Sequence, residues 1–144
     1  MNVSLVIPAY NESAIIQDTI RAASDKLAEL AEEYEVLIVD DGSTDGMDQL
    51  VREWDDPHVR LERYTPNHGK GRAVRTGMLA AQGDIILCTD ADLAYGVEIF
   101  SLILERFQEG DADLVIGSRR MEGEGYQNYP PLRVWMCKCF GLLS

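Results

Sequence analysis

Gly83-Asp84-Ile85-Ile86-Leu87-Cys88-Thr89-Asp90-Ala91-Asp92 is an apolar run that ends abruptly in acids. The run reads as a buried strand, and the acids as the loop beyond its C-terminal end. The same pattern recurs along the chain. Val3 to Ile7 is stopped by Pro8-Ala9-Tyr10-Asn11-Glu12, and Val36-Leu37-Ile38-Val39 by Asp40-Asp41-Gly42-Ser43. Asp113-Leu114-Val115-Ile116-Gly117 reads as a last strand, followed by Ser118-Arg119-Arg120. Val59 to Tyr64 alternates polar and apolar residues, so it reads as a strand with one polar face. Between these runs, periodic segments predict helices over 12–33, from a Ser43 or Thr44 cap to about Trp54, over 69–82 and over 97–108. Strands alternating with helices imply crossover connections and a mostly parallel sheet. Strands this rich in Val, Ile and Leu fit a sheet with helices on both faces, a Rossmann-like α/β fold. Ligands bind such sheets beyond the C-terminal strand ends, where every polar motif of this chain falls.

Composition narrows the chemistry. The 144 residues suit one domain, and a hydrophobic fraction of 46% supplies a core. The formal charge is −12, from 13 Lys+Arg against 25 Asp+Glu. A nucleic-acid partner is not expected, because a phosphate backbone calls for a basic face. An anionic small molecule would need a local device, such as a metal, a helix N-terminus or a few placed cations. Cys88, Cys137 and Cys139 make an odd count, with no signal peptide, and favour reduced thiols in a cytoplasmic setting. Cys88, inside the apolar run, reads as a small core residue. No paired Cys/His spacing suits zinc, and no apolar run approaches a transmembrane length.

In an extended chain, residues two apart point to one side, about 7 Å between Cα atoms. Asp90 and Asp92 would then set two carboxylates side by side, a repulsion that a proton, water or a divalent cation relieves. A cation held there can hold a diphosphate, which makes a nucleotide-sugar site the leading reading. Asp40 or Asp41 can accept from a nucleobase imide or a ribose hydroxyl, or can simply shape a turn and cap a helix. Asn67-His68-Gly69-Lys70-Gly71 lets backbone approach a ligand closely and adds the Lys70 charge. It is not a Walker A loop, lacking Gly-Lys-Ser/Thr, nor a dinucleotide fingerprint, lacking the third glycine. A receiver domain would place its adjacent aspartates after the first strand. A nucleotidyltransferase would carry a basic, Gly-rich loop there, where this chain has Tyr10-Asn11-Glu12. The segment 130–144 reads as an apolar helix, for a membrane face, for a second copy in a homodimer or for the core.

Together these segments resemble an inverting family 2 glycosyltransferase of the GT-A fold. The resemblance rests on Val3 to Glu12, Val39-Asp40-Asp41-Gly42-Ser43, Gly69-Lys70-Gly71, Asp90-Ala91-Asp92 and Gly117-Ser118-Arg119. It is nearest to the branch that includes dolichyl-phosphate glucosyl- and mannosyltransferases. The resemblance implies a nucleoside-diphosphate sugar as donor, a polyprenyl phosphate as acceptor and Mg²⁺ or Mn²⁺ as cofactor. It carries over Pro8, Ala9, Tyr10, Asn11, Glu12, Asp40, Asp41, Lys70, Asp90 and Ala91 as the nucleotide site. It carries over Asp90 and Asp92 as metal ligands, and these two with Arg119 and Arg133 as the catalytic set. The two arginines would grip the lipid phosphate. Ala94 stands where mannosyl members carry a Gln ligand, so the resemblance leans towards a glucosyl donor. The family normally continues past this length, so residues 1–144 are expected to form one donor-binding domain, at work in the cytoplasm or at the cytoplasmic face of a membrane. The rival expectation is a module that binds nucleotide and metal without transferring sugar.

Overall fold

A computed structural model describes residues 1–110 and 112–117. Its order is β1 (Asn2–Ala9), α1 (Ile16–Leu30), β2 (Glu33–Asp40), α2 (Met47–Arg52), β3 (Val59–Arg63), α3 (Lys70–Ala80), β4 (Ile85–Cys88) and α4 (Ile99–Gln108). The four strands form one parallel sheet in the order β3-β2-β1-β4. Asn2 lies opposite Glu33 and Ala9 opposite Asp40, so β1 and β2 end level with each other. β4 flanks β1 on the other side, with Val3 opposite Ile85 and Val6 opposite Cys88.

Side-chain alternation assigns the two faces. Val3, Leu5 and Ile7 of β1 and Val36 and Ile38 of β2 pack into one core with Ile16, Ile20 and Leu27 of α1. Met47 and Val51 of α2 and Phe100 and Leu104 of α4 complete it. On the opposite face Val6, Leu37 and Val39 bury against Ala73 of α3. Helices therefore cover both faces, as the uninterrupted apolar strands require. The α3 face is the thinner and tighter one. At Gly77 a built Cβ would lie 2.2 Å from Val6 Cγ1 and 2.9 Å from Val39 Cγ2, so the helix rests directly on the sheet.

At the N-terminal strand ends, on this same face, a polar cluster replaces apolar packing. Glu35 is buried and accepts from the Ser4 hydroxyl, from Gln82 N at 2.7 Å and from Arg60. Burial raises its carboxyl pKa, but the hydrogen bonds from Ser4, Gln82 and Arg60 outweigh that and hold it below the ordinary 4.5. Ser4 Oγ also accepts from Gly83 N at 2.7 Å, which fixes the approach to β4.

Four expectations are corrected. α1 starts at Ile16, after a turn in which Glu12 O accepts from Ile15 N and Ile16 N. Neither Ser43 nor Thr44 caps α2, which starts after Gly46 at φ 82°; both residues are tied to neighbouring loops instead. Residues 113–117 pair with none of the described strands, and Leu114 and Ile116 stand 74% and 76% exposed. An apolar run records a tendency towards burial, whereas a strand needs a neighbouring ladder. Cys88 is exposed, because β4 ends there and has a strand on one side only among the described residues.

Candidate functional site

The level ends of β1 and β2 and the loop after β4 open onto a cavity of about 500 Å³. That is within the usual range of a small-molecule site, ~300–1,000 Å³. Pro8, Ala9, Tyr10 and Glu12 line it from the end of β1 and Asp41 from the end of β2. Asn67, Gly69, Lys70 and Ala73 line it from the start of α3, and Asp90, Ala91 and Asp92 from beyond β4.

The adjacent aspartates have separate roles. Asp40 is fully buried, does not reach the cavity, and accepts from Arg63 Nε at 2.7 Å and Ser43 N at 2.8 Å. Its expected place in the nucleotide site is therefore corrected to a structural one, the loop-shaping alternative that the sequence left open. Asp41 faces the other way. Its Oδ1 accepts from His68 N and its Oδ2 from Gly69 N, each at 2.8 Å. One side chain thus anchors the loop that leads into α3 and fixes where Lys70 starts. Tyr64 Oη is buried near Asp41 without reaching hydrogen-bond geometry to any described residue. Burial first, and then the Asp41 carboxylate, push that phenol up to about 12.

Asn11 holds the rim of the cavity rather than lining it. It sits at φ 55°, a conformation Asn tolerates better than most residues. Its N–H donates to Ser43 Oγ at 2.9 Å, and its Oδ1 accepts from Thr44 N at 2.8 Å. It stitches the loop after β1 to the loop after β2 and leaves the cavity to Tyr10 and Glu12.

Asp90 and Asp92 meet at the cavity, but not as an extended strand end. Leu93 N donates to Asp90 O at 3.1 Å, and Leu93 takes φ 47°, so the pair occupies a turn. Ala91 between them points inwards and is 4% exposed. Its carbonyl accepts from Thr19 Oγ1 of α1 at 2.6 Å, which locks the turn to the helix layer. Asp92 Oδ1 accepts from Ala94 N at 3.1 Å, and Asp90 makes an ion pair with Lys70.

This donor set fits a hard divalent cation. Two carboxylates on a rigid turn offer oxygen ligands only, the chemistry that suits Mg²⁺ or Mn²⁺. Among the described residues no group of three or more His, Cys, Asp or Glu side chains could enclose an ion. A Mg²⁺-type site does not need one, since it takes one or two carboxylates and completes its shell with phosphate and water. Arg119, Arg133 and the apolar segment 130–144 lie outside the described residues. Sequence reasoning read the loop from Asn67 to Gly71 as one that approaches a ligand, but assigned only Lys70 of it to the site and not Asn67, Gly69 or the following Ala73. The signal for the first two was the Gly-rich loop itself, and for Ala73 its place three residues after Lys70, on the same helix face.

A family model described as glycosyl transferase family 2 matches residues 4–142. The chain is 32% identical over 139 residues to a dolichol-phosphate mannosyltransferase of Pyrococcus furiosus, covering 96% of this chain and 39% of that protein. It is 34% identical over 128 residues to a dolichyl-phosphate beta-glucosyltransferase of Dictyostelium discoideum, covering 81% and 39%. The chain thus spans about 39% of the length of these two relatives. Among solved structures, the mannosyltransferase PcManGT of Pyrobaculum calidifontis, in complex with GDP-Man and Mn²⁺, superposes with a TM-score of 0.56 at 33% identity. That match covers 62% of this chain and 27% of PcManGT. The parallel sheet with its cavity beyond the strand ends is the GT-A arrangement. On these grounds the chain belongs to glycosyl transferase family 2.

Proposed function

We propose that this chain binds a nucleoside-diphosphate sugar, UDP-glucose-like, together with Mg²⁺ or Mn²⁺, as the donor side of an inverting transfer to a polyprenyl phosphate. The observation that carries this reading is the convergence of Tyr10, Asp41, Lys70 and the Asp90/Asp92 pair on one cavity from four separate segments of the chain. Tyr10, 47% exposed at the rim, offers a ring face to a nucleobase. Asp41, with Glu12 beside it, offers acceptor oxygens to base or ribose donors. Lys70 supplies the one positive side chain of the lining among the described residues, on the side where a diphosphate would meet Asp90.

In the reaction, an oxygen of the lipid phosphate attacks the anomeric carbon as the bond from that carbon to the diphosphate oxygen breaks. The configuration inverts, and the nucleoside diphosphate leaves. A bound divalent cation would stabilise the charge developing on that leaving group. The chain's own residues hold the donor still and place Lys70 beside the same charge. A phosphate nucleophile is already ionised, so positioning matters more than a general base. Arg119 and Arg133 are proposed to hold the acceptor phosphate, and the segment 130–144 to meet a membrane face or a second copy. No helix among the described residues is long and apolar enough to cross a membrane.

Calorimetric titration of UDP and then GDP, with Mn²⁺ and then with EDTA, tests the donor site. Mn²⁺-dependent binding of UDP in preference to GDP is the expected result. Binding of neither nucleotide would overturn the reading. Added polyprenyl phosphate and UDP-glucose then separate transfer from binding alone, with released UDP as the readout.

A further inference from the structure

We infer that Lys70 couples the cation to the nucleotide by competing with the cation for Asp90. This rests on the donor-site reading above and deepens it. Lys70 is the first residue of α3, and its backbone is held from behind, because Asp41 accepts from the N–H groups of both preceding residues. From that fixed start the side chain crosses the cavity to an ion pair with Asp90 Oδ1. The ammonium therefore sits on one of the two carboxylates that would ligate the metal. It halves the charge the pair offers, and it repels a dication approaching the same oxygens. A cation arriving alone must displace Lys70 into water. A diphosphate changes that balance. Its oxygens give the ammonium a new anionic partner a short swing away, and Asp90 is released to the cation. The lysine suits such an exchange, being a compact charge on four rotatable bonds rather than a rigid fork. Both ends of the pair keep solvent access, with side chains 65% and 47% exposed, so the contact can break without disturbing the core. Linkage then makes the effect reciprocal: nucleotide tightens cation binding by the same factor that cation tightens nucleotide binding.

The sign of this effect on the cation is opposite to that of a lysine merely supporting the site. Mn²⁺ is titrated into the protein without nucleotide, and the free ion is read by electron paramagnetic resonance, for wild type, Lys70→Met and Lys70→Arg. Lys70→Met is expected to bind Mn²⁺ about three- to tenfold more tightly, the order expected from losing an exposed ion pair and a like-charge contact. Lys70→Arg, which keeps the charge, is expected to stay near wild type. In Lys70→Met, UDP should also strengthen Mn²⁺ binding less than it does in wild type. Equal or weaker Mn²⁺ binding by Lys70→Met overturns the coupling and leaves the donor site standing. Failure of wild type to bind UDP or GDP with Mn²⁺ is a separate result, which removes the donor site and the coupling with it.

Discussion

Asp40 and Asp92 share one side chain and differ in everything that surrounds it. Asp40 is at 0% exposure and answers Arg63 and the Ser43 amide, so its charge belongs to the folded framework. Asp92 is exposed, and the hydrogen bond it accepts from Ala94 N leaves carboxylate capacity facing the cavity. Asparagine at each position should therefore separate stability from binding. Asp92→Asn should leave stability within about 0.5 kcal/mol of wild type, as an exposed change does, and abolish the Mn²⁺-dependent part of UDP binding. Asp40→Asn should destabilise by about 1–3 kcal/mol, the range for losing a hydrogen bond to a charged group, and leave the affinity of the folded protein essentially unchanged. Urea unfolding with UDP titration on both variants checks this. Unchanged Mn²⁺-dependent binding by Asp92→Asn would remove that residue from the cation site. Which of two neighbouring acids faces the ligand was not legible in the sequence. Both stand at the end of a strand, and only the position of Arg63 at the end of β3 decides which one is neutralised.

At the scale of elements, the sheet and its helices were legible because the signals were long and repeated. Four apolar runs ended in polar motifs, and three of those runs became parallel strands whose C-terminal ends share the cavity. The fourth, 113–117, had the right composition, but its pairing depends on a neighbour that composition does not name. Helix starts were also missed: α1 begins only at Ile16, after a local turn closed by the Glu12 carbonyl, and the Ser43 hydroxyl that promised a cap for α2 is taken by Asn11 N of the neighbouring loop. Gly77 is where local and tertiary preferences conflict most sharply. Inside a helix, Gly costs about 1 kcal/mol relative to Ala, so propensity alone predicts that Gly77→Ala stabilises. The packing predicts the reverse, since the new methyl would meet the buried Val6 and Val39 side chains of the sheet. Overpacking a core costs about 1–3 kcal/mol, and a contact of 2.2 Å lies at the severe end. The expected net effect is a loss of about 2 kcal/mol after the propensity gain is subtracted. A thermal midpoint that rises in Gly77→Ala would mean that α3 can lift from the sheet without cost. Because α3 carries Lys70 at its first turn, UDP affinity should fall in the same variant.

Across the whole molecule the governing quantity is the charge of −12. Even if every one of the 13 Lys and Arg residues paired with one of the 25 Asp and Glu residues, 12 carboxylates would remain in excess. The exposed pairs, such as Arg21 with Asp18 and Arg106 with Glu109, each contribute about 0–1 kcal/mol. Added salt acts on both terms, and distance decides which responds more. Paired charges lie within 4 Å of each other, well inside the Debye length of about 10 Å at 0.1 M. Repulsion among the excess carboxylates acts over longer separations and is screened first. Self-repulsion opposes the compact state, so weakening it stabilises the fold. The thermal midpoint should therefore rise as NaCl goes from about 20 to about 200 mM, a span in which the Debye length shortens from beyond 20 Å to below 10 Å. A gain of about 1 kcal/mol would move the midpoint by about 3–5 °C at this size. EDTA in every sample keeps a divalent cation from adding its own binding energy at Asp90 and Asp92. Choline chloride in place of NaCl should give the same rise, because screening depends on ionic strength rather than on the ion. A midpoint that falls with salt would mean that the close ion pairs outweigh the excess charge, and the acidic surface would then need a role other than solubility.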